Sequence, residues 1–74
     1  MSDKAREILI TLYNISKEME ESQLDYSEDT KEKIQQIEAV KELQDLGYLI
    51  IKGQTIGYVI MSITYAGEIA AKAL

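Results

Sequence analysis

Thirteen carboxylates, eight basic side chains and five tyrosines are the side chains that can titrate in this chain, and they bound its chemistry. There is no His and no Cys. Ser-His and Cys-His nucleophile pairs, imidazole acid/base work, thiol chemistry and zinc sites of the Cys/His type are therefore excluded. One spacing invites a metal: Asp25-x-Ser27-x-Asp29 matches the first three ligands of a calcium-binding EF-hand loop. The sixth position would be Thr30, where the sharp turn demands Gly, and the twelfth Gln36, where a bidentate Glu closes the shell. Calcium fails on both counts, and these acids are expected to cap a helix and face water. The other carboxylates, tyrosines and lysines could move protons in principle. No spacing fixes a pair of them around a pocket, and so small a core leaves little room for one. No catalytic residue, metal or cofactor is expected. The chain should act by binding.

Seventy-four residues make a single domain, 1–74, which buries only about 60% of the surface its unfolded chain exposes. Disulfides and Cys/His metal sites cannot reinforce it, so hydrophobic assembly with a partner is the remaining support. The apolar fraction, 46%, suits a globular core. No apolar run approaches the roughly 18 residues of a membrane span, and no basic-then-apolar leader opens the chain. The expected compartment is the cytoplasm, with no membrane partner. The net charge of −5 is unevenly spread. Glu18, Glu20, Glu21, Asp25, Glu28 and Asp29 form an acidic segment with no base, and the remainder is near neutral.

Elements able to position these groups follow from periodicity. Ala5, Ile8, Leu9, Leu12, Ile15 and Met19 recur at helical intervals, widened by Ile10 and Tyr13, and predict a helix from Asp3 to about Glu20. Ser22–Asp29, anchored only by Leu24 and Tyr26, reads as a loop or one helical turn. A second long helix begins at Asp29, with Glu32 placed as its reciprocal capping carboxylate, and runs to Leu46 before a Gly47 stop. Ala39, Val40, Leu43 and Leu46 are its core face, while Ile34 and Ile37 lie off that stripe. Tyr48–Lys52 and Tyr58–Ile63 bracket Gly53–Gly57 and predict a hairpin. Thr64 is placed to cap a short helix, Tyr65–Ala73.

Two segments carry a resemblance. Ala39-Val40-Lys41-Glu42-Leu43-Gln44-Asp45-Leu46-Gly47-Tyr48-Leu49-Ile50 resembles a winged-helix third helix running into the first wing strand. Ser62-Ile63-Thr64-Tyr65-Ala66-Gly67-Glu68 is similar to the strand-to-helix junction after the wing, where Leu-Thr-x-x-Gly is common in small bacterial regulators. The likeness covers about two thirds of the chain. It implies an α+β winged-helix-like fold with two long helices, a β-hairpin wing, a short C-terminal helix and a reduced middle helix. It implies, in turn, a cytoplasmic transcription regulator that reads double-stranded DNA as a homodimer. Thr30, Lys31, Lys33, Gln35 and Gln36 on the third helix would then meet bases and phosphates, with Lys52 and Gln54 on the wing. The alternative is a winged-helix protein-interaction module, an adaptor or inhibitor that leaves DNA alone. Apolar residues on both faces of the hairpin favour association, and Tyr48, Ile50, Tyr58 and Ile60 are the expected oligomer interface.

Overall fold

A serine starts the chain's first helix. In the computed structural model, which describes all residues 1–74, Ser2 caps α1 (Asp3–Ser16), its Oγ accepting from the Ala5 N–H at 3.1 Å. The helix ends four residues short of the expected Glu20. Its last turn carries no base, and Glu18, Glu20 and Glu21 crowd the negative end of the helix dipole, where cations are favoured. The Ser16 hydroxyl also donates to the Tyr13 carbonyl, holding the end of the turn. Met19 therefore falls outside the helix and is 61% exposed, not part of the stripe.

The next element is a strand, β1 (Ser22–Asp25), where a loop or helical turn was expected. Its exposure alternates, with Ser22 and Leu24 turned inward and Gln23 and Asp25 outward. Only Tyr26–Asp29 separates it from α2 (Thr30–Asp45), so no middle helix exists. Asp29 caps α2 as expected, accepting from the Glu32 N–H at 3.3 Å. The reciprocal half differs: the Asp29 N–H donates to Ser27 Oγ, and Glu32 pairs with Lys4 of α1 instead.

The helix α2 closes in a Schellman motif. Gly47 N–H donates to the Gln44 carbonyl and Tyr48 N–H to the Leu43 carbonyl, both at 2.9 Å. Gly47 has φ +80°, the left-handed conformation the motif requires. Leu46 becomes the cap residue and is 49% exposed, not part of the core face.

Strands β2 (Leu49–Gln54) and β3 (Tyr58–Ile63) form the hairpin, and β1 adds to the far side of β3 in an antiparallel sheet of order β1-β3-β2. Gly53 and Gln54 belong to β2, so the turn is Thr55–Gly57 and shorter than expected. Thr55 Oγ1 closes it by accepting from the N–H groups of Gly57 and Tyr58. The register slips between Ile51 and Gly53, which makes Lys52 the extra residue of a bulge. A short edge (β1) and a bulged edge (β2) both discourage strand-to-strand aggregation.

Thr64 caps α3 (Tyr65–Lys72). The helices cover one face of the sheet. Leu9, Leu43 and Val59 are the largest fully buried side chains, surrounded by Ile8, Leu12, Val40, Leu49 and Met61. No helix is long and apolar enough to cross a membrane. The α+β class and the order of helix, helix, hairpin and closing helix stand as expected, with a third strand and without the middle helix, in a layout compatible with a winged helix.

The two conspicuous glycines do different jobs, which separates their variants. Gly47→Ala meets no atom within 4 Å and should cost only the left-handed backbone term, roughly 1–2 kcal/mol. Gly67→Ala would place a Cβ 2.1 Å from the Tyr48 carbonyl oxygen, so α3 must lift. Chemical denaturation should rank Gly67→Ala as clearly the more damaging; equal losses would contradict the close packing.

Candidate interaction faces

The exposed side of α2 is where the resemblance places a DNA reader. At about 100° per residue, Gln36 lies roughly 160° round from Ile34. Ile34, at 50% exposure, and Ile37, at 43%, occupy the outward side, and Gln36 turns toward the body of the protein. Its Oε1 accepts from the Ser27 N–H at 2.8 Å, so it holds the turn ahead of α2 and is not free to read a base edge. Lys33 lies over the Tyr26 ring, 5.8 Å from its centroid, a cation–π contact. Gln35 opens onto a shallow hollow that sets Asp3, Glu7, Glu38 and Glu42 against the single ammonium of Lys4, a net acidic setting that disfavours phosphate. Thr30 and Lys31 are exposed near the start of the helix. On the hairpin, Gln54 pairs with Val59 inside the sheet ladder, and the exposed tip belongs to Ile56. Lys52 lines a hollow with Glu20, Glu21 and Glu68. The seven residues therefore do not form one basic face: the amides diverge, and two of the three lysines are already engaged or ringed by carboxylates.

A second face is the side of the sheet the helices leave open. Strand pairing places Gln23 beside Ile60, Asp25 beside Tyr58, and Ser62 beside Ile50. These alternate with Leu24, Val59 and Met61, which belong to the core or pack against it, so the first set looks outward. Three of the four residues expected at an oligomer interface, Ile50, Tyr58 and Ile60, share this face. Tyr48 does not; it packs against the core. At one end Ser62 opens onto a hollow of about 540 Å3 at the end of β3, lined by Ser16 of α1, Glu20, Glu21, Lys52, Ile63 and Glu68 of α3. At the other, Asp25 accepts from Gln23 Nε2 at 2.8 Å. This acidic border was missed because β1 was not recognised. The available signal was the alternation through Gln23-Leu24-Asp25-Tyr26, four residues too polar to stand out.

A third feature is a cleft of about 250 Å3 between α1, β1 and the first half of α2, floored by Ile8, Leu12, Leu24 and Met61. Lys4 and Glu32 pair across its mouth, and Gln36 forms part of its wall. The hydrogen bond to Glu32 is the main reason the Lys4 ammonium is held above its ordinary pKa; loss of solvent opposes it, and attraction to Glu32 and then to Glu7 adds to it. Tyr26, beside the same turn, is raised by burial. Asp25 and Asp29, of the abandoned calcium spacing, serve a glutamine and a helix cap.

No protein-family model, curated protein or solved structure matches this chain.

The ion pair makes a signed prediction. A lysine whose folded pKa is raised contributes stability that is fully present below 10.5 and lost as pH climbs through the folded value. Glu32→Gln should therefore be less stable than the parent at neutral pH, and the gap should close well above 10.5. Denaturation curves showing a constant gap would mean that the pair contributes nothing.

Proposed function

We propose that this chain is a cytoplasmic protein-interaction module on a winged-helix-like frame, and that it does not read DNA. What carries the proposal is the exposed side of α2. Ile34 and Ile37 stand on it, half exposed, where a duplex reader needs polar and basic side chains. Desolvating two isoleucines against a phosphate backbone gains little, whereas against an apolar partner surface it is the usual source of affinity. Supporting this, Gln36 is spent on the Ser27 N–H, Lys33 on Tyr26, and Lys52 stands among Glu20, Glu21 and Glu68. Without a helix between β1 and α2, the two-helix unit that orients a reader in the major groove is also missing. The acidic excess of the chain opposes the counterion-release term that drives nonspecific duplex binding.

Titration of the protein into a labelled short duplex at low salt tests the proposal. The expected result is no salt-dependent retention. The DNA-reading role, with Lys31, Lys33 and Lys52 on phosphates, requires affinity that falls with a log–log salt slope of about −3 per protomer. A slope of that size, made shallower by Lys33→Ala, would overturn the protein-interaction role.

A further inference from the structure

The open face of the sheet combines two properties that together specify a partner. Its apolar residues run along it: Ile50, 51% exposed on β2, pairs with Ser62, and the half-buried Ile60 and Tyr58 follow along β3. Its border is acidic. Glu20, Glu21 and Glu68 stand around Ser62 at one end and Asp25 beside Tyr58 at the other, against the single ammonium of Lys52. With Ile50 exposed and Tyr58 and Ile60 half-buried, a face of this kind favours an occupant that brings aliphatic bulk and positive charge at once.

Resting on the protein-interaction role above, we infer that the open face of the sheet docks a cationic, amphipathic segment of another protein, one that alternates Lys or Arg with aliphatic residues. Charge decides against the other natural occupant, a second copy of this chain. A two-fold dimer sets the same patch against itself. Because both ends of the face are acidic, Asp25, Glu20, Glu21 and Glu68 of one copy would face carboxylates of the other across an interface that excludes water, where like charges are costly. A cationic partner turns the same four carboxylates into attraction and fixes its register along the strands. The apolar residues supply the affinity, since rim ion pairs contribute little once solvated. Gly53 lies beside Ile60 and has no side chain, which leaves the flank of Ile60 open to a partner's aliphatic group. Lys52 is exposed on the bulge and makes no side-chain ion pair, so its stem is able to swing aside.

Three synthetic peptides of equal length test the inference by backbone amide NMR titration. One alternates Lys and Val, one alternates Lys and Gly, and one alternates Glu and Val. The Lys-Val peptide should bind and shift the amides of Ile50, Tyr58, Ile60, Ser62 and Glu21. The Lys-Gly peptide should bind at least about tenfold more weakly, because it brings charge without apolar bulk. The Glu-Val peptide should not bind. Reversing the border with Glu20→Lys and Glu21→Lys together should weaken the Lys-Val peptide by roughly tenfold and steepen nothing else in the map. Ile50→Thr, which keeps a β-branched residue in the strand, should weaken it several-fold in a protein whose spectrum still shows a folded chain. Equal binding of the Lys-Val and Lys-Gly peptides, or shifts confined to the Glu18–Glu21 and Glu28–Asp29 segments, would overturn the inference as mere charge attraction. So would concentration-dependent shifts of Ile50, Tyr58 and Ile60 in the protein alone, with dimer mass in sedimentation, because the occupant would then be a second copy. Absence of any peptide binding overturns the inference too, but leaves the protein-interaction role to the duplex titration.

Discussion

Thr64 and Gly67 lock the end of β3 and the start of α3 onto the turn that leaves α2, and the rest of the fold is arranged around that contact. The Thr64 hydroxyl donates to the Gly47 carbonyl at 2.6 Å and accepts from the Gly67 N–H at 3.0 Å. The Thr64 N–H donates to the Tyr48 carbonyl at 3.0 Å, and Gly67 lets the backbone of α3 come up against the same carbonyl group. One residue, through its hydroxyl and its backbone N–H, thus ties a helix stop, a strand start, a strand end and a helix cap. Four backbone groups that would otherwise be left without partners at element ends are satisfied in one place.

The same contact accounts for the two segments that resemble a winged helix. Leu43-Gln44-Asp45-Leu46-Gly47-Tyr48 and Ile63-Thr64-Tyr65-Ala66-Gly67 are far apart in sequence, yet they are the two halves of one junction. Gly47 is needed for its positive φ and Gly67 for its missing Cβ. Thr64 is needed because its hydroxyl both donates and accepts. A junction of this type demands those residue types wherever it is built, so its presence speaks to packing. It carries no information about DNA.

Long periodic elements were legible from residue types, and short polar ones were not. The stripes of α1 and α2, the β-branched runs of β2 and β3 and the caps at Asp29 and Thr64 each repeat a physical signal over several residues. Of the two β1 residues turned inward, Ser22 and Leu24, only Leu24 is apolar, and the pairing of β1 with β3 is a tertiary fact. The C-terminal limit of α1 was overestimated because Met19 continued the apolar spacing while the acids around it opposed the helix dipole. For the candidate faces the limits were similar. Ile34 and Ile37 were visible as leftovers from the wheel of α2, but the engagement of Gln36 by Ser27 depends on where the preceding turn lies. The acidic border of the open sheet face could not be drawn without β1.

Packed and open surfaces lie on different sides of this architecture. The core of Leu9, Leu43 and Val59 and the Thr64 junction lie on the helix-covered side, and the open sheet face and the outward side of α2 remain available to a partner. With only Leu9, Leu43 and Val59 as large, fully buried side chains, the junction is expected to open only together with the core. Native-state hydrogen exchange of the Tyr48, Thr64 and Gly67 amides tests that claim most directly. If the junction holds the fold together, these three amides exchange only through global unfolding, with the same free energy and denaturant dependence as the Val59 and Met61 amides of the central strand. Exchange of Thr64 and Gly67 through a low-energy local opening, while β3 stays protected, would show that α3 frays independently and would contradict the account.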